Sequence, residues 1–432
     1  MAFYLKGVKL SHKKNTSPEK AEKISVNSVT IPMSMHIGRP ANAVVKKGDT
    51  VAVGSLIGEA AEGLSSPVYS SVSGSVQGVG EILLSNGMTG AAVTIESDGE
   101  MTLDSSITPP TINNRDDLIN ALSKSGIVGL GGAGFPTSIK FKTDKPIEYL
   151  IINSAECEPY ITSDNYTMLT KADMMEYAIE TLVKFFGIKK VIIGIEKNKP
   201  KAIAKMRELS GKFNNASVKV LPTVYPQGGE KVMVYHTTGK VVAEGGLPID
   251  VGCVVCNCTT VAEIGKYLKT GIPLVEKVVT VDGDAIENPQ NVIAPIGAPI
   301  KDVLEFCGIK AEIAKALYGG PMMGISVTDL EKPVLKNTNA LLAFSQKQAF
   351  VPKTTACIRC GACANNCPFG IDPVAILKSY KEDDYLGMKK AGALLCMECG
   401  CCSYVCPAKI PNVQNNKLAK EAIRKEAQRE VK

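Results

Sequence analysis

The spacing of apolar positions changes character from one region of the chain to the next. Between about residues 30 and 98, short apolar runs are cut by glycine turns: Ala43-Val-Val-Lys-Lys-Gly48-Asp49-Thr-Val, then Gly54-Ser-Leu-Ile-Gly58-Glu, then Ser66-Pro67-Val68-Tyr-Ser-Ser-Val-Ser-Gly74-Ser-Val. Turn signals at this density predict short strands of a small all-β sandwich or barrel. Beyond Pro109-Pro110 the pattern alternates. It predicts a helix near 115–124, a glycine loop at 129–134, strand Ile147–Asn153, a helix near 172–186 and strand Lys190–Glu196. A helix near 200–210, strand Val218–Val224 and a helix near 259–270 follow. Apolar strands alternating with longer amphipathic helices predict a parallel α/β sheet. Residues 276–325 read as mixed strands with one helix, Lys301–Cys307, ending in Leu317-Tyr-Gly-Gly-Pro-Met-Met-Gly324, a β-grasp-like module. A stretch rich in Asp, Lys and Asn (328–339) leads to a cysteine-rich region at about 345–410 and a basic amphipathic helix. These shifts divide the chain into 1–108, 111–270, 271–327, 340–411 and 412–432.

A length of 432 residues exceeds what one hydrophobic core serves, in keeping with several domains. Hydrophobic and charged contents of 45% and 21% are those of a folded globular protein. No run approaches 18 uninterrupted apolar residues, and Lys6, Lys9, Lys13 and Lys14 are followed by polar residues. Neither a transmembrane helix nor a secretory leader is therefore expected. The net charge of +6 is concentrated at the ends: residues 1–23 and 408–432 each carry +4, the body about −2. Such ends suit an anionic membrane surface or an acidic partner, or, for the C-terminal run, a solvated helix face. Nucleic-acid binding is not supported, because no basic stripe is interleaved with aromatics and the chain has no Trp.

Two cysteine runs carry the sharpest chemistry: Cys357-x2-Cys360-x2-Cys363-x3-Cys367-Pro368 and Cys396-x2-Cys399-x2-Cys402-x3-Cys406-Pro407. Three thiolates from one tight loop and a fourth from further away suit a 4Fe–4S cluster, and in two-cluster ferredoxins the fourth cysteine ligates the other cluster. Crossed over, Cys357, Cys360, Cys363 and Cys406 form one ligand set, and Cys396, Cys399, Cys402 and Cys367 the other. Zinc sites show separated C-x2-4-C pairs instead. Oxygen-sensitive clusters and fourteen cysteines without a leader point to a reducing, cytoplasmic setting. Cys253, Cys256 and Cys258 lack a nearby fourth ligand, the histidines being His12, His36 and His236, and read as buried small hydrophobes. Cys401 is out of register with its motif and reads as packing.

The second feature is Gly129-Leu-Gly131-Gly132-Ala133-Gly134-Phe135-Pro136-Thr137. Residues without side chains let backbone N–H groups approach a phosphate or a flat ring, and Lys140 stands near enough to neutralise a phosphate. The next strand ends in Asn153-Ser-Ala-Glu156-Cys157-Glu158-Pro159, placing an amide and two carboxylates at the sheet edge where open α/β folds bind ligands. Capping of the following helix is the alternative use of those carboxylates.

This loop is similar to the flavin loop of the NADH-oxidising subunit of respiratory complex I, G-R-G-G-A-G-F-P-T, with Leu130 in place of the Arg. Asn153–Pro159 resembles that family's N-x-D-E-S-E-P, with Ala155 for the Asp and Cys157 for the Ser. Tyr225-Pro-Gln-Gly228-Gly229-Glu230 and Asn257 in Cys256-Asn-Cys-Thr-Thr260 resemble its two remaining segments. The resemblance implies that Gly131, Gly132, Gly134, Lys140, Asn153 and Asn257 bind FMN, and that Phe135, Glu156, Glu158 and Glu230 bind NAD(H). The order of barrel, G-L-G-G-A-G-F-P-T, Y-P-Q-G-G-E-K, G-G-P-M-M-G and two cluster motifs resembles the RnfC family, from the Rnf complexes that act as membrane-bound ferredoxin:NAD+ oxidoreductases. Ser34-Met-His36-Ile37-Gly38-Arg-Pro40 and Lys46-Lys-Gly-Asp49 extend the match, and the chain looks like a compact member lacking the long Ala/Lys-rich extension of larger ones.

The fold implied is multidomain α/β with all-β and α+β modules. It comprises an N-terminal barrel-sandwich domain, a Rossmann-like FMN/NAD-binding domain, a β-grasp module and a two-cluster ferredoxin-like domain. The barrel also resembles lipoyl/biotinyl domains, but Glu62–Ser71 lacks their modified lysine, so it reads as a docking or scaffold module. The implied activity is hydride exchange between NAD(H) and FMN with single electrons passing through two 4Fe–4S clusters, a flavin being the ordinary mediator between the two regimes. Implied partners are membrane-bound subunits bearing iron–sulfur or flavin groups, with ferredoxin reached indirectly and ions moved elsewhere in the complex. The implied location is the cytoplasmic face of the membrane, peripherally. Two alternatives share these features: a flavin/iron–sulfur cobalamin reductase, and a non-catalytic two-cluster module whose flavin site is degenerate at Leu130 and Ala155.

Overall fold

The computed structural model describes residues 5–11, 13–84 and 87–430; His12 and the last two residues of the basic C-terminal segment lie outside them. Strands Tyr149–Ser154, Lys190–Glu196, Ala216–Leu221 and Cys253–Asn257 form a four-stranded sheet, parallel throughout, with 149–154 between 190–196 and 253–257. Leu150, Ile151, Ile152, Val191, Ile193 and Ile195 are inaccessible to solvent, as expected where helices cover both faces. Helix Ala172–Phe186 buries Met175, Ala178, Ile179 and Leu182, a stripe at helical spacing that the sequence periodicity anticipates. It packs so closely on helix Cys258–Thr270 that a Cβ on Gly265 would stand 1.9 Å from the Met174 carbonyl oxygen. Helix Pro200–Ser210 also falls where expected. The strand expected at Val218–Val224 is shifted to Ala216–Leu221, because parallel pairing with 190–196 sets its register and Pro222 has no N–H to extend it. Helices Ser163–Thr170 and Glu230–Thr238 are additions to the expected pattern.

In the barrel, one sheet orders Ser28–Pro32, Thr89–Ser97, Gly74–Leu83 and Thr50–Val51; a second orders Asn42–Ala43, Leu56–Glu59 and Val68–Tyr69. Val29, Ile31, Ile57, Val68, Val93 and Ile95 are buried between them. A six-stranded mixed sheet follows the α/β region, in the order Ala21–Lys23, Gln290–Pro295, Glu276–Asp282, Ala340–Phe344, Lys315–Tyr318, Ile325–Val327. Its edge strand Ala21–Lys23 comes from the N-terminal segment. Ala340–Phe344, wholly buried, pairs with strands on both sides and so belongs to this sheet rather than to the cysteine region after it.

The modules are fastened by charged side chains with little access to water. Lys336, 1% exposed, donates to the carbonyls of Pro67 (2.6 Å) and Gly126 (2.8 Å), joining the barrel to the segment that leads into the glycine loop. Burial without a carboxylate partner lowers its pKa to about 7. The basic N-terminal segment is not a free arm over its described length. Val8 pairs with Tyr225, and Lys14 donates to the carbonyls of Glu156 (3.2 Å), Glu158 (3.3 Å) and Ile161. At the other end, helix Asn412–Glu430 lays Val413, Asn416, Ala419 and Ile423 against the cysteine domain, with Lys417, Arg424, Lys425 and Arg429 exposed on its outer side and Lys420 turned in.

Candidate functional site

All four strands of the parallel sheet run in one direction, so their carboxyl ends share an edge. Asn153 and Asn257 are register partners there. Asn257 caps helix Cys258–Thr270: its Oδ1 accepts from the N–H of Thr259 (2.9 Å) and Thr260 (3.3 Å), while its Nδ2 donates to Asp164 (2.7 Å). Asn153 Nδ2 donates to the Gly228 carbonyl (2.8 Å), laying the Tyr225–Glu230 segment over this edge.

The glycine loop crosses the same edge. The Leu130 N–H donates to Thr260 Oγ1 (3.0 Å), Asn337 Nδ2 to the Gly132 carbonyl (3.0 Å) and the Ile37 N–H to the Gly134 carbonyl (3.2 Å), so three modules hold it. Gly131 lies against Asn257, where a Cβ would stand 2.7 Å from Nδ2. On its other side the arc Gly131–Gly132–Ala133 is exposed, and nothing lies within 4 Å of a Cβ built on Gly132. The buried Thr137 hydroxyl beside the loop has no partner. An open backbone arc with an unpartnered hydroxyl next to it is a cradle that fits a flat or phosphorylated group. Lys140 donates to the Val255 carbonyl (2.9 Å) and pairs with Glu230 (3.1 Å). Burial opposes its charge most strongly, but Glu230 and the nearby Cys256 together outweigh it and leave the pKa above the ordinary lysine value.

Gly131, Lys140, Asn153, Glu230 and Asn257 are thus gathered at one edge, with Phe135 partly exposed beside them. Glu156 and Glu158 turn elsewhere. Glu156, 5% exposed, accepts from the Asp164 N–H (2.8 Å) and faces Lys14 (3.5 Å). Burial pushes its pKa up to about 7 against the pull of Lys14 and Lys199. Glu158 accepts from the N–H groups of Met322 (3.1 Å) and Met323 (2.8 Å), and burial likewise brings it to about 7. Sequence reasoning missed Asp164, which holds both Asn257 and Thr259 (2.7 Å each). A short helix with no apolar stripe and no side-chain cap gave no signal for it.

The two cysteine motifs fold alike. Arg359 and Gly361 in the first, and Glu398 and Gly400 in the second, occupy matching positions with positive φ of 54°, 73°, 62° and 81°. These left-handed residues curl each run so that its thiols face one hollow. Cys357, Cys360, Cys363 and Cys406 line one cavity, and Cys367, Cys396, Cys399 and Cys402 line the other. Among the described residues no three His, Cys, Asp or Glu close on a single ion. Cys357 and Cys360 are exposed, the other six buried. Val413 packs against Cys363 and Cys402, one from each set.

The inner set, Cys367, Cys396, Cys399 and Cys402, abuts the Tyr225–Glu230 segment that lies over the sheet edge. Tyr225 OH donates to the Cys399 carbonyl (2.7 Å), a Cβ on Gly229 would meet Met397 at 2.3 Å, and a Cβ on Gly400 would meet the Met322 carbonyl oxygen at 2.9 Å. Val8, Tyr225, Cys399 and Cys401 form one apolar cluster, and Cys401 also lines the cavity of Cys367, Cys396, Cys399 and Cys402. Cys253 faces the core on one side of the parallel sheet, whereas Cys256 and Cys258 join the core on the other, so these three do not converge.

Four family models match successive parts of the chain: an RnfC barrel sandwich hybrid domain (residues 3–100), the Nuo51 FMN-binding domain (122–266), an SLBB domain (278–326) and a 4Fe–4S dicluster domain (353–410). Among curated relatives, the RnfC protein of the Na+-translocating ferredoxin:NAD+ oxidoreductase complex of Acetobacterium woodii is 42% identical, over 81% of this chain and 80% of its own. The counterpart from the proton-translocating complex of Clostridium ljungdahlii is 38% identical over 85% and 82%. The counterpart from the ion-translocating oxidoreductase complex of Rhodobacter capsulatus is 36% identical over 95% and 81%. No helix among the described residues is long and apolar enough to cross a membrane.

Proposed function

The chain belongs to the RnfC family of the ion-translocating ferredoxin:NAD+ oxidoreductase complexes, and from that premise we propose that it exchanges hydride with NAD(H) at the carboxyl edge of its parallel sheet and moves single electrons through two cysteine-held clusters. It is an electron-transfer subunit built around FMN and 4Fe–4S clusters. Bound FMN supplies the exchange between two-electron and one-electron chemistry. Gly131, Gly132 and Gly134 present backbone to it, Lys140 supplies a fixed positive charge, and Asn153 and Asn257 hold the strand ends that shape its floor. Glu230 and Phe135, accessible beside that floor, face NAD(H). Glu156 and Glu158 serve the nucleotide indirectly, by pinning the segment between the sheet edge and the Met322–Met323 turn. Cys367, Cys396, Cys399 and Cys402 hold the inner cluster, next to Tyr225; Cys357, Cys360, Cys363 and Cys406 hold the outer one. The partners are the other subunits of the complex. Those bearing iron–sulfur or flavin groups meet the exposed Cys357–Cys360 side at the cytoplasmic face of the membrane, and ferredoxin is reached through them.

The observation that carries this reading is the contact of the inner cysteine set with the Tyr225–Glu230 segment, which itself lies over Asn153. The test is anaerobic purification with iron and sulfide reconstitution, followed by NADH titration at flavin and cluster absorbances. Expected are one FMN and the eight irons of two cubes per chain, with NADH bleaching both. Clusters without flavin, inert to NADH, would reduce the protein to an electron conduit.

A further inference from the structure

Helix Asn412–Glu430 enters the cysteine domain amino end first, and its opening turns lie between the two cavities. Asn412 lines the outer cavity; Val413 and Asn416 line the inner one. Asn416 is fully buried, its Nδ2 3.5 Å from Cys396 Sγ, and its Oδ1 has no partner. Asn412, one turn earlier, donates to the Cys402 carbonyl at 3.1 Å and so does not address a sulfur. Lys420, one turn later, donates to the Cys396 carbonyl (3.0 Å) and pairs with Glu398 (2.5 Å), which neutralises its charge.

Packing alone gives a poor reason for Asn at position 416. A buried amide with an unpaired oxygen is costly and Asn is a weak helix former, whereas Leu fills nearly the same shape without either penalty. What Leu cannot provide is an N–H directed at a thiolate, which can only accept. Reduction adds negative charge to a cluster and its sulfurs, so a donor to a ligand sulfur favours the reduced state and raises the potential. The amino end of the helix carries the same sign of charge. Main-chain N–H groups address sulfurs in both sets, Arg359 to Cys357 and Ile410 to Cys406 at 3.4 Å and Glu398 to Cys396, and Asn416 adds a side-chain donor to Cys396.

We propose that Asn416 is a positioning residue that sets the reduction potential of the cluster held by Cys367, Cys396, Cys399 and Cys402. This rests on the reading of those cysteines as ligands; failure of the unsubstituted chain to take up eight irons would sink that reading, whereas the experiment below fails this inference alone. Full-length Asn416→Leu is reconstituted anaerobically and its two cluster signals are titrated by electron paramagnetic resonance beside the wild type and Gln414→Leu, a change on the exposed side of the same helix turn. The expected result is full iron content and a lower midpoint for one signal in Asn416→Leu, with neither midpoint moved in Gln414→Leu. Unchanged midpoints in Asn416→Leu, an equal shift of both signals, or the same shift from Gln414→Leu would overturn the proposal. If Asn416→Leu loses iron, Asn416→Ala is titrated under the same criteria. Loss of iron there as well overturns it, because the side chain would then be holding the site together rather than tuning it.

Discussion

Replacing Gly132 with Ala separates a flavin cradle from an ordinary turn. The backbone at Gly132 needs no positive φ, and a Cβ there meets nothing within 4 Å. Alanine should therefore leave the fold intact or stabilise it by about 0.4–1 kcal/mol through the unfolded chain. If FMN lies against this arc, the same methyl occupies its space. Overpacking of that kind costs about 1–3 kcal/mol, which raises Kd by roughly 5- to 150-fold. Gly131→Ala is the contrasting case: its Cβ would stand 2.7 Å from Asn257 Nδ2. Displacing that cap costs helix 258–270 about 0.5–2 kcal/mol, so stability and flavin should fall together. The assay titrates FMN fluorescence into flavin-free protein and compares urea midpoints. Wild-type FMN affinity in Gly132→Ala would refute the reasoning and move the flavin off this face of the loop.

Further expectations concern the acidic segment and the cluster interface. Glu156 has a folded pKa of about 7 against 4.5 unfolded, so the native state binds more protons between these values. Its stabilising contribution is complete below pH 4.5 and is lost as pH rises through 7, a change of about 3 kcal/mol; urea midpoints of Glu156→Gln should be correspondingly flatter from pH 5 to 7.5. A pH profile identical to wild type would count against this titration. Tyr225→Phe removes the donor to the Cys399 carbonyl and leaves a buried acceptor unpaired at about 1–3 kcal/mol. Iron release should then begin at lower denaturant, and an unshifted release curve would show that the bond does not fasten the two domains. Cys363→Ser should lose the outer cluster yet leave NADH reduction of flavin and inner cluster intact, whereas Cys399→Ser should stop electrons before the outer cluster. Stopped-flow absorbance distinguishes the two, and equal effects would argue against an inner-to-outer order.

Much of this molecule is written in local pattern. Helices 172–186 and 200–210 and strand 190–196 lie where periodicity places them, because each buries a stripe set by its own backbone repeat. Helix Ser163–Thr170 was not legible: Ser-Asp-Asn-Tyr-Thr-Met-Leu-Thr has no apolar stripe, and its first turn is held by the Glu156 carboxylate and its interior by the distant Thr259. Strand Ala340–Phe344 was equally hidden, since its partners lie about 25 and 60 residues away.

At the site the division falls along the same physical line. Cysteine spacing is local chemistry, and the doubled run with its glycines determined by itself that two four-thiol hollows would form. The glycine loop and the strand-end asparagines were likewise marked by residue type. Only the tertiary structure decided which hollow faces the flavin edge, because that depends on Tyr225 meeting Cys399 across 174 residues. It also decided that Glu156 is a buried support and Glu158 a half-buried one, and that Lys14 fills the site's underside. A carboxylate's sequence neighbours do not say whether water or a lysine from the chain's other end will stand beside it; burial and long-range pairing settle that, and they exist only once the modules have packed.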